Sequence, residues 1–295
     1  MNMKKPSIGF IGLGLMGANM VENLQNRGYQ LSVIDLDKEA VATVVARGNA
    51  SEAVSPKELA EKSDIVMLCL TTSAVVEKIV YGDDGILAGI KEGAVLIDFG
   101  TSIPSSTRKI GKDLADKGAG MIDAPLGRTP AHAKDGLLNI MAAGDKETFE
   151  KVKPVLEEQG ENIFHLGALG AGHTTKLINN FMGMTTVVAM SQAFAAAKLA
   201  GVDGQQLFDI MSAGPSNSPF MKFCKNYAVD NVSDLGFSIA NANKDLGYFV
   251  HMMKDLGTVS KIAEATSSNL QAAFDADMGS GNVPEIFDYF LKLQK

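Results

Sequence analysis

The chain has 295 residues, 46% of them hydrophobic, and a formal net charge of -7, enough for one large or two ordinary domains with cores of normal size. The acidic balance, with no Lys/Arg block longer than a pair, argues against nonspecific nucleic-acid binding. Cys69 and Cys224 are too few for a disulfide framework or a zinc site, so reduced, buried thiols in a cytoplasmic protein without a bound metal are expected.

Lys4-Lys5 before an apolar patch faintly mimics a signal peptide, but Pro6 follows and Gly9, Gly12, Gly14 and Gly17 break the patch. The start therefore reads as mature protein. Ser7 to Ile11 is a short apolar run, predicted as a strand. It leads into Gly12-Leu13-Gly14-Leu15-Met16-Gly17 and a helical pattern through Leu24 that Gly28 closes. The next apolar run, Leu31 to Ile34, ends in Asp35, about twenty residues past the glycines, where a dinucleotide-binding fingerprint places an acid on the ribose. In that pattern Gly12 permits the tight turn, Gly14 lets the backbone approach a pyrophosphate, and Gly17 lets helix and strand pack closely. Free N–H groups at the helix start receive the phosphates. Asp35 repels a 2'-phosphate and no Arg follows it closely, so NAD is favoured over NADP.

The alternation continues with helices at 38–47 and 56–62, a strand at 65–70, a helix at 73–81, a strand at 95–99, a helix at 104–117 and strands at 121–124 and 137–143. A helix at 145–159 and a strand at 163–166 complete it. Nearly continuous hydrophobic strands are expected of a mostly parallel, doubly wound sheet covered on both faces. Ligands in such sheets sit at the carboxyl ends of the strands, so Leu70-Thr71-Thr72 and Gly100-Thr101-Ser102 are placed to line a cofactor crevice. Ordinary helix capping is the other reading of those hydroxyls.

Asp123-Ala-Pro-Leu-Gly-Arg128-Thr129-Pro-Ala-His-Ala-Lys-Asp-Gly136 is a loop with two prolines and an Arg at its bend. Arg128 could clamp a small oxyanion through its planar fork. Equally, it could pair at the surface with an acid such as Asp123 or Asp135. His132 is expected to face solvent and is given no catalytic role.

From Gly170 onward everything reads helical, so the chain divides into 1–167, an α/β domain, and 168–295, an all-α domain. Between Lys176 and Lys198 there is no charged side chain, and apolar residues recur on more than one face. This predicts a central helix enclosed on most sides. Its polar residues at this span make it unsuited to lipid. Lys176, Asn179, Asn180 and Gly183 fall at i, i+3, i+4 and i+7, so one ammonium, two amides and a gap share a stripe predicted to face a cleft. A desolvated ammonium there is a candidate acid/base, and a Lys snorkelling from a helix start is the other reading. Further helices are predicted at 205–211, 237–256, 259–278 and 284–293. Lys244-Asp245 reads first as a solvated face.

The chain resembles the β-hydroxyacid dehydrogenases over its whole length. The resemblance rests on Gly9-Phe-Ile-Gly-Leu-Gly-Leu-Met-Gly17, Asp123-Ala-Pro-Leu-Gly-Arg-Thr129, Gly170-Ala-Gly-His-Thr-Thr-Lys-Leu-Ile-Asn-Asn180 and Lys244-Asp-Leu246. It implies a Rossmann domain that binds NAD and a helical domain that forms a homodimer or homotetramer. It also implies a catalytic Lys176, substrate contacts at Asn179 and Asn180, and cofactor contacts at Thr101 and Lys244. Most members carry Ser-Gly-Gly where this chain has Gly127-Arg128-Thr129. The Gly-Arg-Thr form resembles the sulfolactaldehyde reductases of the family, and an Arg suits a sulfonate.

The expected reaction is reversible hydride transfer between NAD(H) and a small anionic aldehyde or its hydroxy acid, with Lys176 as acid/base, Arg128 and Thr129 at the acidic group, and no nucleic acid or membrane involved. Reduction of 3-sulfolactaldehyde to 2,3-dihydroxypropane-1-sulfonate is the first expectation. A carboxylate semialdehyde, such as succinic, methylmalonate or tartronate semialdehyde, is the second. A non-catalytic NAD-binding scaffold is the alternative from another class, and Lys176 together with both amides argues against it.

Overall fold

The computed structural model describes residues 5–293, so Lys4 lies outside it. The chain divides into two compact units between Lys176 and Leu177.

The first unit is built on a six-stranded sheet of β1 (Ile8–Ile11), β2 (Leu31–Ile34), β3 (Ala50–Glu52), β4 (Ile65–Leu68), β5 (Val95–Asp98) and β6 (Gly120–Asp123), in the order β3-β2-β1-β4-β5-β6. Every pairing is parallel, with Ile8 opposite both Leu31 and Ile65. Strand residues alternate between two cores. Ile65 and Met67 join Phe10, Met20 and Leu24 on one face, and Val66 and Leu68 join Leu59, Val80 and Ile110 on the other. Helices cover both faces, so the strands are hydrophobic throughout rather than alternating. The unit is a doubly wound Rossmann fold, with its ligand-binding edge at the carboxyl ends of the strands. β3 was not predicted, because Ala50-Ser51-Glu52 has no apolar run and lies at the sheet edge.

Three further strands do not continue this sheet. β7 (Leu126–Gly127), β8 (Leu138–Ala142) and β9 (Gly160–His165) form a separate one, with β7 antiparallel and β9 parallel to β8. The predicted runs at 137–143 and 163–166 are strands, but hydrophobicity marks a strand without naming its partner. The predicted loop at 123–136 also holds structure: β7 and a short helix, Pro130–Asp135, which starts on a proline and ends at Gly136 with φ +71°.

The compact first unit extends past the predicted division at 167, because the start of the long helix Ala171–Leu199 is hydrogen-bonded into the sheet through Asp123. The second unit is all-helical. It comprises the rest of that helix and Gly204–Ala213, Pro219–Ala228, Ile239–Asp255, Lys261–Ala273 and Ile286–Lys292. Its core gathers Leu177, Val187, Phe194, Leu246, Leu270 and Ile286. The helix Pro219–Ala228 was not foreseen behind the Gly214–Pro219 break, although Ser218 caps it and Pro219 opens it. The predicted helix 259–278 ends its α-helical part at Ala273. It closes in a π-helical turn, Phe274–Met278, where Asp277 has φ +60°.

The expectation that the long helix is enclosed on most sides does not hold for this chain: Ile178 is 48% and Met182 59% exposed. Among the described residues no helix is long and apolar enough to cross a membrane.

Candidate active site

The glycine turn sits at the carboxyl end of β1, and each glycine has its own reason. Gly12 has φ +101°, and a Cβ there would lie 2.4 Å from the Cys69 carbonyl oxygen. A Cβ on Gly17 would lie 1.9 Å from the Gly12 carbonyl oxygen, which is the close helix–strand contact the motif requires. A Cβ on Gly14 would meet no protein atom within 4 Å, which leaves room for a pyrophosphate against the backbone. The helix Gly17–Asn26 that follows Leu15 and Met16 has no side-chain N-cap, so its start presents backbone donors to an anion. Asp35, at the end of β2, accepts N–H bonds from Leu13 and from Asp37 at 2.8 Å, which joins this acid to the glycine turn. Leu70 and Thr101 are half-buried at the ends of β4 and β5. Thr72 caps the helix Ser73–Tyr81. Ser102 is not a cap, because its hydroxyl donates to Asp98 at 2.8 Å.

Lys176 lies in the second turn of the long helix, half-buried, with Nζ donating to the Leu126 carbonyl at 2.7 Å. The backbone that holds the ammonium is thus β7, two residues before Arg128. A fully buried polar cluster supports this helix start. Asp123, 0% exposed, accepts the N–H of Gly170 on one oxygen and of His173 on the other, both at 2.7 Å. Burial raises the Asp123 carboxyl above the ordinary Asp range, opposed by the His173 charge and by the two N–H groups. His173, also 0% exposed, has Nδ1 2.8 Å from the Thr107 hydroxyl and Nε2 3.7 Å from Asp98.

Arg128 has φ +80°, a left-handed backbone that favours glycine. Its guanidinium donates to the Leu137 carbonyl at 2.7 Å and to Glu161. The surface ion pair is real, but its acid is Glu161 on β9, not Asp123 or Asp135. Asp123 is buried under the helix start. Thr129 pairs its hydroxyl with His132 Nδ1 at 2.7 Å, and His132 is half-buried rather than fully open.

In the second unit Asn179 is exposed and Asn180 buried. The Asn180 carboxamide donates to Asp245 at 2.7 Å, and the Lys244 ammonium lies 2.9 Å from the other Asp245 oxygen. The reading of Lys244-Asp245 as a solvated face fails for Asp245, which is 2% exposed. Gly183 packs against Phe220, whose ring would lie 3.0 Å from an added Cβ.

Within the first unit the structure therefore brings Lys176 to the strand that leads into Arg128 and Thr129, and gathers the glycine turn with Asp35. Within the second it brings Asn180 and Lys244 to a shared carboxylate. Asp98, Asp123, His173 and Asp245 were not assigned from sequence. Three of them, Asp123, His173 and Asp245, stand inside the quoted motifs, but a motif does not reveal which of its polar side chains is buried.

Residues 7–167 match the family described as the NAD binding domain of 6-phosphogluconate dehydrogenase, and residues 170–286 match that described as NAD-binding of NADP-dependent 3-hydroxyisobutyrate dehydrogenase. The chain is a 3-hydroxyisobutyrate dehydrogenase-like β-hydroxyacid dehydrogenase. As a member of that family it is an NAD-dependent oxidoreductase. It is 36% identical over 267 residues to the NAD-dependent L-serine dehydrogenase of Pseudomonas aeruginosa, covering 89% of this chain and 87% of that one. It is 31% identical to the 3-sulfolactaldehyde reductase of Escherichia coli, covering 86% and 88%. Among solved structures it resembles Mycobacterium tuberculosis 3-hydroxyisobutyrate dehydrogenase with L-serine, with a TM-score of 0.87 and 28% identity over 97% of this chain and 99% of that one.

Proposed function

We propose that this dehydrogenase interconverts a small anionic aldehyde and its alcohol, with Lys176 as general acid/base and Arg128 holding the acidic group. 3-Sulfolactaldehyde is the favoured substrate. The observation that carries the reading is the Lys176 ammonium seated on the Leu126 carbonyl, two residues before an Arg kept at a backbone angle that glycine would occupy more easily. A residue held against its conformational preference is a pointer to function.

Bound NAD(H) supplies or accepts the hydride. It would be held by the glycine turn, Asp35, Leu70, Thr101 and Lys244. An ammonium carries three N–H donors, and the Leu126 carbonyl takes one, which fixes the direction in which the nitrogen presents itself. Lys176 donates a proton to the carbonyl oxygen as negative charge develops there. In the reverse direction the neutral amine takes the proton from the hydroxyl. Asn179 and Asn180 hold the substrate's oxygens. Arg128 releases Glu161 and pairs with the substrate's acid, so binding energy spent on the remote group orients the reacting carbon.

A carboxylate substrate is the second reading, favoured by the L-serine dehydrogenase at 36% identity. The deciding experiment measures NADH oxidation side by side with 3-sulfolactaldehyde and with succinic, methylmalonate and tartronate semialdehydes, and NAD reduction with L-serine and 3-hydroxyisobutyrate. The first reading requires the highest kcat/KM on the sulfonate. A higher value on any carboxylate gives the second, and no turnover on any compound sinks both.

A further inference from the structure

His173 has no role in the reaction as described, yet it is fully buried three residues before Lys176. It stands one turn before Lys176 on the long helix, 0% exposed. Its ring is bracketed by groups from three other elements: the Thr107 hydroxyl 2.8 Å from Nδ1, Asp98 Oδ2 3.7 Å from Nε2, and Asp123 Oδ2 3.8 Å from Nδ1. Nε2 has no hydrogen-bond partner among the described residues. A buried ring nitrogen without a partner is unfavourable, and an apolar residue of similar size would avoid it, so its presence points to a role beyond packing.

Asp98 supplies that role. It ends β5, accepts the N–H of Gly100 at 2.9 Å and the Ser102 hydroxyl at 2.8 Å, and so shapes the turn that carries Thr101. His173 is the side chain that lies between this turn and the helix that carries Lys176.

We propose that His173 is a positioning residue: its imidazole, set against Asp98, fixes how far the Lys176 turn of the helix stands from the Gly100–Ser102 turn. The inference rests on Lys176 being the acid/base and on Thr101 lying beside the cofactor, as argued above. Misplacing the proton donor by about 1 Å is enough to lower turnover about a hundredfold, so a buried spacer has leverage on the rate.

The test uses His173→Asn and His173→Gln in the full-length enzyme. Asn keeps a polar atom near Nδ1, on the Thr107 side, and loses the reach toward Asp98. Gln restores that reach. Two measurements are made. The first is kcat on the best substrate of the panel above, with NADH affinity from fluorescence titration. The second needs no substrate: the acetylation rate of Lys176 by limiting acetic anhydride, read by mass spectrometry against Lys153, whose side chain is 42% exposed. In His173→Asn, kcat falls about ten- to a hundredfold with NADH affinity little changed, and Lys176 acetylation shifts roughly threefold or more relative to Lys153. In His173→Gln both recover in part. A wild-type kcat and a wild-type acetylation ratio in His173→Asn overturn the proposal, as does a Gln variant no better than Asn.

Should both variants fail to fold by circular dichroism, the near-isosteric Thr107→Val decides. It removes the hydroxyl that orients the ring, and wild-type values in both measurements overturn the proposal there too. Lys176→Ala separates the two readings. Near-normal turnover in that variant overturns the assignment of Lys176 and this inference with it. An inactive Lys176→Ala beside a His173→Asn with wild-type kcat and wild-type acetylation ratio overturns this inference alone.

Discussion

Asp245 accepts the carboxamide N–H of Asn180 at 2.7 Å, and both residues are buried in the helical unit. The bond fixes which end of the Asn180 amide faces Asp245, and leaves the carbonyl end directed elsewhere. The same carboxylate faces the Lys244 ammonium at 2.9 Å, so one acid orders both residues that the proposed function gives to the substrate and the cofactor. Asp245→Ala leaves a buried amide donor unpaired, at about 1–3 kcal/mol. Urea titration should show a lower midpoint with an unchanged slope. Both the substrate KM and the NADH Kd should rise, and a variant that changes neither would remove Asp245 from the site.

Lys176→Ala should keep NADH binding, because none of the groups assigned to the dinucleotide belongs to its side chain. Turnover should fall by about two to four orders of magnitude, the usual worth of a positioned acid/base. Fluorescence titration and steady-state kinetics on the same preparation check both halves.

If Arg128 anchors the substrate as proposed, Glu161, which pairs with its guanidinium, competes with the substrate's acid. The pair is exposed and worth at most about 1 kcal/mol, so Glu161→Gln should lower KM by no more than about fivefold with kcat unchanged. High salt should erase the difference between variant and wild type. Arg128→Gly should raise KM for an anionic substrate at least about tenfold, because a bidentate ion pair is lost. Its folding stability should stay within about 1 kcal/mol of wild type, since relief of the left-handed φ offsets the greater freedom of glycine in the unfolded chain. A KM unmoved by Arg128→Gly would strip Arg128 of its anchoring role.

Asp64 ties the start of β1 to β4, accepting the Ser7 N–H at 2.9 Å and the Ser7 hydroxyl at 2.8 Å. These bonds, led by the backbone N–H and aided by Lys91, hold its carboxyl below the ordinary Asp range. The native state then binds fewer protons than the unfolded chain over that range, so the stabilisation is present above the unfolded value of about 4 and is lost as pH falls through the folded one. Denaturation of wild type and Asp64→Asn from pH 7 to pH 3 should show a stability gap in favour of wild type that closes with acid. A gap that widens with acid contradicts the assignment.

The doubly wound sheet and its glycine turn were legible because both depend on local signals: apolar runs of strand length, a glycine at each forced approach, and an acid at the end of β2. The second sheet was not, since nothing in the run around Ile140 distinguishes a partner in β9 from one in β6. Buried acids were the larger gap. Charged residues on helices usually meet water, so Asp245 looked solvated, and only the fold reveals the Asn180 amide above it. Likewise Asp123 looked available to Arg128, until the start of the long helix is seen to occupy both its oxygens. Arg128 shows the same limit from the other side: its bend was visible, but not that its dihedral is one glycine prefers.

That dihedral also gives position 128 a direction in evolution. A lineage that stops depending on the guanidinium can drop it in one step without a penalty in foldability, whereas a lineage that starts from glycine must accept torsional strain before any new specificity rewards it. Arginine at this bend should therefore be rare, and where it persists it marks continuing selection for the charge.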